Sequence, residues 1–220
     1  MDQHALPAPG SSERTRVRRI PEKAVEDRTV LNAILDAGLV AHVGIVDASG
    51  QPYVVPVAYA RDGDRLLFHG STGSRLFRQL ADGAPTCVTI TLHDGLVLAR
   101  SAFESSMHYR GVIALGTCSV LDGDDRDRAL RLISDHLLPG RWDDIRSPSK
   151  KELAATLVLG LPLDEVSVKV SDQMPEDDPQ DVDRPVWGGI VPITESFGTP
   201  QPDERGAAYP APPYLETWTR

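Results

Sequence analysis

Between Leu66 and Leu80 the chain reads LLFHGSTGSRLFRQL. An apolar run ends at His69 and Gly70, gives way to Ser71, Thr72, Gly73 and Ser74, and resumes at helical spacing after Arg75. Backbone N–H groups at a helix start, hydroxyls and a guanidinium together are the chemistry that holds an anion, above all a phosphate. The glycines allow the backbone to approach closely. The same residues also make an ordinary strand-to-helix turn, with Ser71 or Ser74 as the cap and Arg75 in water. On this stretch alone both readings stay open.

A second polar cluster lies in DGLVLARSAFESSMHYRGVIALG, where Arg100, Arg110, Ser101, Ser105, Ser106, His108 and Tyr109 interrupt two strand-like runs. It reads either as a second part of a site or as a long surface loop in a hairpin. Other chemistries find no support. GSTGS is not GxSxG, and the chain has no GxxxxGK[ST], no GxGxxG opening a helix after a strand, and no HExxH. His42, His93, His108 and His136 lack partners at ligand spacing, and His4 lies in a polar leader, so no metal site is expected. Cys87 and Cys118 sit in strand-like runs without CxxC spacing, and are expected as small core residues rather than zinc ligands or a disulfide.

The elements that position these residues follow from periodicity. From Pro21 to Gly38 apolar residues recur at helical spacing, which predicts an amphipathic helix with a glycine stop. LVAHVGIVDASGQPYVVPVAYARDGDRLLFHG predicts three strands joined by the turns DASGQ and RDGDR. STGSRLFRQLADG predicts a short helix. APTCVTITLHDGLVLARSAF reads as two further runs about a turn at His93-Asp94-Gly95, followed by YRGVIALGTCSVLDG. Asp124 to Leu138 predicts a second amphipathic helix with acidic residues in its first turn. Ser149 and Glu152 form a capping-box pattern ahead of a segment that passes into a strand, and LDEVSVKVSD alternates as the closing strand. The fold class is mainly β (α+β), a barrel of six to seven mostly antiparallel strands with short flanking helices.

The 220-residue chain has a formal charge of −9, and ten acidic against three basic residues fall between Ser171 and Arg220. Nucleic acid is therefore not expected as a partner. Residues 1–20, with Arg14, Arg16, Arg18 and Arg19, read as a flexible, solvated N-terminal arm, and 21–172 as the barrel domain. Residues 173–220 read as a proline-rich acidic extension without regular structure, whose PVWGGIVPI stretch packs on the barrel or on a partner subunit. No apolar run long enough to span a membrane is present, so a cytoplasmic location with no membrane partner is expected.

Taken together, GQPYVVPVAYARDGDRLLFHGSTGSRLFRQL, DGLVLARSAFESSMHYRGVIALG, LLPGRW and VWGGIVP resemble the pyridoxamine 5′-phosphate oxidase-related FMN-binding proteins, in particular the branch with nitroimidazole-resistance-type flavoproteins. The resemblance implies a split β-barrel that forms a homodimer, with FMN in a groove where the subunits meet. It aligns Pro56, Val57 and Tyr59 with the strand along the flavin ring, His69 and Gly70 with the strand end beside the ribityl chain, and Ser74 with Arg75 as the pair that holds the FMN phosphate. Leu76 stands where a second basic residue often follows, so Arg100, Arg110 or Lys169 is expected to add charge. Tyr109-Arg110-Gly111 resembles a YRS turn with glycine in place of the polar residue, and Trp187 is expected to cover the ring from the second subunit. Because the tail lacks the Arg-x-His region that grips pyridoxal substrates, pyridoxamine 5′-phosphate oxidase activity is not implied.

The resemblance thus implies an FMN-dependent oxidoreductase that reduces a small acceptor, nitro-aromatic or quinone-like, with His69 as the group that polarises or protonates the acceptor, or else bonds the FMN chain. The alternatives are a flavin-binding or storage module without turnover, and the same barrel holding haem or F420.

Overall fold

The computed structural model describes residues 6–218, so His4 and the rest of the first five residues lie outside the described residues. The segment expected as one helix from Pro21 splits into a 3₁₀ turn, Pro21–Lys23, and α1, Arg28–Ala37. Asp27 caps α1 by accepting the Thr29 N–H at 2.7 Å. The backbone ahead of it is committed elsewhere, because the Val25 N–H donates to the Val168 carbonyl at 3.1 Å.

The remaining elements are β1 (Val40–Val46), β2 (Pro52–Asp62), β3 (Arg65–Ser71), α2 (Arg75–Ala81), β4 (Thr86–Leu98), β5 (Ser106–Gly116), β6 (Ser119–Val120), α3 (Gly123–Leu137), α4 (Lys150–Ala154), β7 (Thr156–Pro162), β8 (Glu165–Ser171) and β9 (Gly189–Pro192). Nine strands form one sheet in the order β6-β7-β3-β2-β1-β4-β5-β8, with β9 paired to β4. Every pairing is antiparallel. The architecture is the expected split barrel. It exceeds the expected six to seven strands because the two-residue β6 and the tail strand β9 are too short for their alternation to be read.

Two expectations need correction. His93-Asp94-Gly95 is not a turn between two strands but a bulge inside the 13-residue β4, where the register on β5 shifts. The extra residue, Asp94, takes up Arg110 from the neighbouring strand, with contacts at 2.9 and 2.7 Å. The tail, expected without regular structure, supplies β9, whose register sets Val191 opposite Leu96.

Directly paired residues share a face of the sheet, so the register sorts the side chains. Val43, Val88, Ala114 and Val166 form one inward row, and all four are buried. Leu31, Ile34 and Leu35 of α1 and Leu76, Phe77 and Leu80 of α2 join the same core. Each such side chain contributes about 1.5–3 kcal/mol when fully buried. A smaller cluster packs Ala129 and Ile133 of α3 against Leu67 and Val158. The adjacent row, His42, Thr89, Ile113 and Ser167, faces outward. That face stays open, with Val40, Val54 and Ile113 exposed by 47, 66 and 43%. Cys87, expected in the core, lies on it, while Cys118 is buried. The parity of β4 decides this, since Val88 takes the inward position.

Candidate functional site

The corner between β3 and α2 is built by strand alternation. Phe68 turns into the core, so His69 must turn out. A Cβ on Gly70 would lie 2.3 Å from the Phe77 ring, which makes this glycine a requirement for seating α2 on β3. The loop then closes on itself. Ser71 Oγ accepts the Gly73 N–H at 3.1 Å, and the Ser71 carbonyl accepts the Ser74 N–H at 2.9 Å. Ser74 occupies the N-cap position without a side-chain capping bond, leaving its hydroxyl available. Arg75 lays its guanidinium over the Tyr53 ring, 3.9 Å from the ring centre; it makes no ion pair among the described residues, though its charge joins the Ser49 and Gln51 hydrogen bonds in lowering the Asp47 pKa. Leu76 is buried in the core, so its position on α2 has no room for a second cation.

His69 is exposed at this corner, yet the atoms around it strip enough water to hold its pKa below the ordinary 6.5. The imidazole is therefore neutral at pH 7. Pro56 is exposed on the neighbouring strand, whereas Val57 is half-buried and packs on the core. Tyr59 corrects an expectation. It is fully buried and its hydroxyl donates to the Leu35 carbonyl at 2.6 Å, so its side chain is not offered to a ligand. It follows Ala58 on β2 and therefore takes the inward position.

The expected sources of extra positive charge separate into two groups. Arg100 is taken by the tail: its N–H and its guanidinium both donate to Asp177, each at 2.6 Å. Arg110 is held by Asp94, which raises its pKa further. Both guanidiniums are ion-paired, and Arg100 Nε is left without a hydrogen-bond partner. Lys169 has no carboxylate partner among the described residues and donates instead to the Arg19 carbonyl at 3.2 Å. Trp187, expected to cover a ring, is 65% exposed and stands against its own chain at Gly189.

Tyr53 pairs with the buried Ile45 and turns its ring to the inward side of β2, and the residue also lines a cavity of about 650 Å³ with Gly44, Val54, Cys87 and Arg14. A second cavity of about 410 Å³ shares Arg14 and Leu115 with the first and brings Tyr109, Gly111 and Lys169 together. Its remaining wall was not anticipated. Arg16 and Arg19, expected in a solvated arm, line it too. The one available signal was that these arginines are clustered in an acidic chain.

A third cavity, of about 680 Å³, opens between the tail and the body and is lined by His93, Asp94, Arg110, His136, Phe197 and Trp218. The tail is anchored there by Trp218, whose indole N–H donates to the Pro139 carbonyl at 3.0 Å and whose ring lies 5.5 Å from Phe197. Among the described residues no helix is long and apolar enough to cross a membrane.

Comparison with known proteins supplies the context for this geometry. A pyridoxamine 5′-phosphate oxidase family profile matches residues 27–170. The FAD and haem binding protein from Mycobacterium smegmatis is 40% identical over 90% of this chain and 97% of its own, with a TM-score of 0.86. The flavocytochrome Anf3 from Azotobacter vinelandii is 38% identical over 97% of this chain and 99% of its own, with a TM-score of 0.88. A candidate 5-nitroimidazole antibiotic resistance protein from Bacteroides thetaiotaomicron shares the fold at 24% identity, covering 67% of this chain and 86% of its own with a TM-score of 0.57. Comparison with curated proteins gives no match. The profile match, the split barrel and the two full-length relatives together establish that the chain belongs to the pyridoxamine 5′-phosphate oxidase family.

Proposed function

We propose that this chain is a flavin-dependent redox protein that also carries haem and passes electrons to a small acceptor. The observation that carries the flavin reading is the β3–α2 corner, where Arg75 makes no ion pair with a carboxylate among the described residues and rests on Tyr53, a residue that also lines the neighbouring cavity. A phosphate at that corner would meet the guanidinium, the Ser74 hydroxyl and backbone N–H groups. The apolar groove wall would take a planar ring. When bound, the flavin supplies the hydride and electron chemistry; the protein binds, orients and shields it. FAD is preferred over the FMN expected from the sequence, because the relative from Mycobacterium smegmatis, 40% identical over 90% of this chain, is an FAD and haem binding protein.

Haem is favoured by the two relatives and by the state of His69. A neutral, exposed imidazole is the form that ligates iron. His69 would hold the haem, which supplies one-electron chemistry when bound. We also propose a homodimer through the outer face, where Val40, Val54 and Ile113 are exposed. A nitro-aromatic or quinone-like compound suits such a site as acceptor.

The absorption spectrum of protein purified without added cofactor tests the reading. Flavin bands together with a Soret band are the expected result, and light scattering is expected to give twice the chain mass. Colourless protein that takes up neither FAD nor FMN would overturn it.

A further inference from the structure

The arm that precedes the barrel closes a cavity whose charge opposes that of the molecule. The chain has 32 acidic and 23 basic residues, yet Arg14, Arg16, Arg19 and Lys169 meet around about 410 Å³ whose lining holds no carboxylate. Arg14 is paired with Glu165 and Arg16 approaches Glu13 at 3.9 Å, both acids standing outside the lining. Arg19 and Lys169 make no ion pair among the described residues, and Lys169 reaches the Arg19 carbonyl at 3.2 Å. Cations held this close repel one another, and a ligand with several negative charges relieves them.

Backbone contacts fix the arm over β8. The Gly10 N–H donates to the Val166 carbonyl at 2.7 Å, and Ala24 bridges to Lys169, so the arm is tied down on both sides of its arginines. Between these ties Thr15 is buried, with its hydroxyl 2.9 Å from that of Ser12. Directly after Arg19 the chain turns through Ile20 at φ 56°, a left-handed conformation that costs a β-branched residue on the order of 1–3 kcal/mol. The family match begins at residue 27, so Arg14, Arg16 and Arg19 lie outside the matched barrel.

The rest of the lining narrows the class of polyanion. Thr91 and Ser167 add hydroxyls, and Tyr109 adds a ring beside Gly111, where a Cβ would stand 3.6 Å from that ring. Glycine there leaves the ring free to stack on a base. A ring, hydroxyls and more cations than one diphosphate needs are the chemistry that recognises an adenosine with an added phosphate, since arginine is the residue that accommodates a ribose 2′-phosphate. A flavin whose phosphate sits at Arg75 does not occupy these cations, so they serve a second ligand. Its reach follows from the sheet. The cavity shares Arg14 and Leu115 with the one beside Tyr53, and β1 to β8 is three strand steps, roughly 14 Å. A dinucleotide anchored over β8 extends across that span while its own phosphates stay clear of the Arg75 corner.

We infer that the arm-roofed cavity binds the adenosine 2′-phosphate end of a nicotinamide dinucleotide phosphate, whose reduced form is the electron donor; the donor role rests on the flavin reading above, and the binding site does not. In the step it serves, the C4–H bond of the reduced nicotinamide breaks and its hydride passes to the oxidised flavin, with one proton from water. The products are the oxidised nicotinamide and the two-electron-reduced flavin. Calorimetric titration of the full chain as purified with NADP⁺ and with NAD⁺ tests the site in the wild type, in Arg19→Gln and in Arg16→Gln/Arg19→Gln. NADP⁺ is expected to bind the wild type about tenfold or more tightly than NAD⁺, and each variant to lose about tenfold or more for NADP⁺ with its melting temperature and flavin affinity unchanged. Anaerobic mixing with NADPH is expected to bleach the flavin band of the wild type, with one NADPH consumed per flavin. No NADP⁺ binding, equal affinity for NADP⁺ and NAD⁺, unchanged NADP⁺ affinity in the variants, or an equal loss of flavin affinity in them would each overturn the inference. NADP⁺ binding that depends on Arg16 and Arg19 in a protein that takes up no flavin would support the site and refute both the flavin reading and the donor role.

Discussion

Replacing Arg75 by alanine separates binding from folding. The guanidinium rests on Tyr53 at 3.9 Å and makes no ion pair among the described residues, so its part in stability is one exposed cation–π contact, about 0.5–1 kcal/mol. For a chain of this length that shifts the melting temperature by roughly 2–4 °C at most. A charge-assisted bond to a flavin phosphate is worth about 1.5–3 kcal/mol, so the same substitution is expected to weaken FMN and FAD binding alike by roughly 10- to 100-fold. Quenching of flavin fluorescence on titration with apoprotein reads the affinity, and calorimetry reads the melting temperature. Tyr53→Leu, which removes the platform but leaves the charge, is expected to fall between wild type and Arg75→Ala. Flavin affinity within twofold of wild type in Arg75→Ala would refute the phosphate role, and a collapse in stability would refute the description of Arg75 as an exposed side chain.

Gly70→Ala drives a Cβ to 2.3 Å from the Phe77 ring and is expected to cost about 1–3 kcal/mol in urea unfolding, whereas Gly73→Ala, whose nearest neighbour is Ser71 Oγ at 3.5 Å, is expected to be nearly neutral. Desolvation lowers the folded-state pKa of His69 below 6.5, so the unfolded chain binds more protons there. Stability is therefore expected to be complete above 6.5 and to be lost as pH falls from 6.5 through the folded value; the slope should flatten in His69→Gln, as unfolding curves taken between about pH 5 and 7 would show. Burial pushes the Cys118 thiol up to about 12, so a thiol reagent near neutral pH is expected to reach Cys118 only after unfolding.

Much of the scaffold was legible because it rests on local rules. Alternation marked β1 to β3 and β8, and glycines marked the turns between the first strands. Ser149 and Glu152 form the reciprocal capping bonds that their spacing announced, at 2.7 and 3.3 Å. The β3–α2 corner was legible for the same reason, since cap, hydroxyls and guanidinium lie within six residues of one another. The bulge at Asp94 was not legible, because His-Asp-Gly is as good a turn as a bulge until β5 and β9 are laid beside it.

The chemistry of individual arginines belonged to the tertiary structure. Arg75, Arg100 and Arg110 looked alike as cations, yet Arg100 is neutralised by Asp177, 77 residues away, and Arg110 by Asp94 across a strand pair. No local pattern encodes a partner at that separation. Tyr59 looked like a ring-facing residue of an exposed strand, and only the position of α1 beneath it turned its hydroxyl to Leu35. The arm shows the same division. Its composition announced clustered positive charge, while the pairing of its backbone with β8 decided that the charge faces a cavity instead of water. Sequence by itself determined the strands, the caps and the strand-to-helix corner that carries Ser74 and Arg75, since those depend on neighbours along the chain. The fold decided which charges remain available, since that depends on neighbours in space.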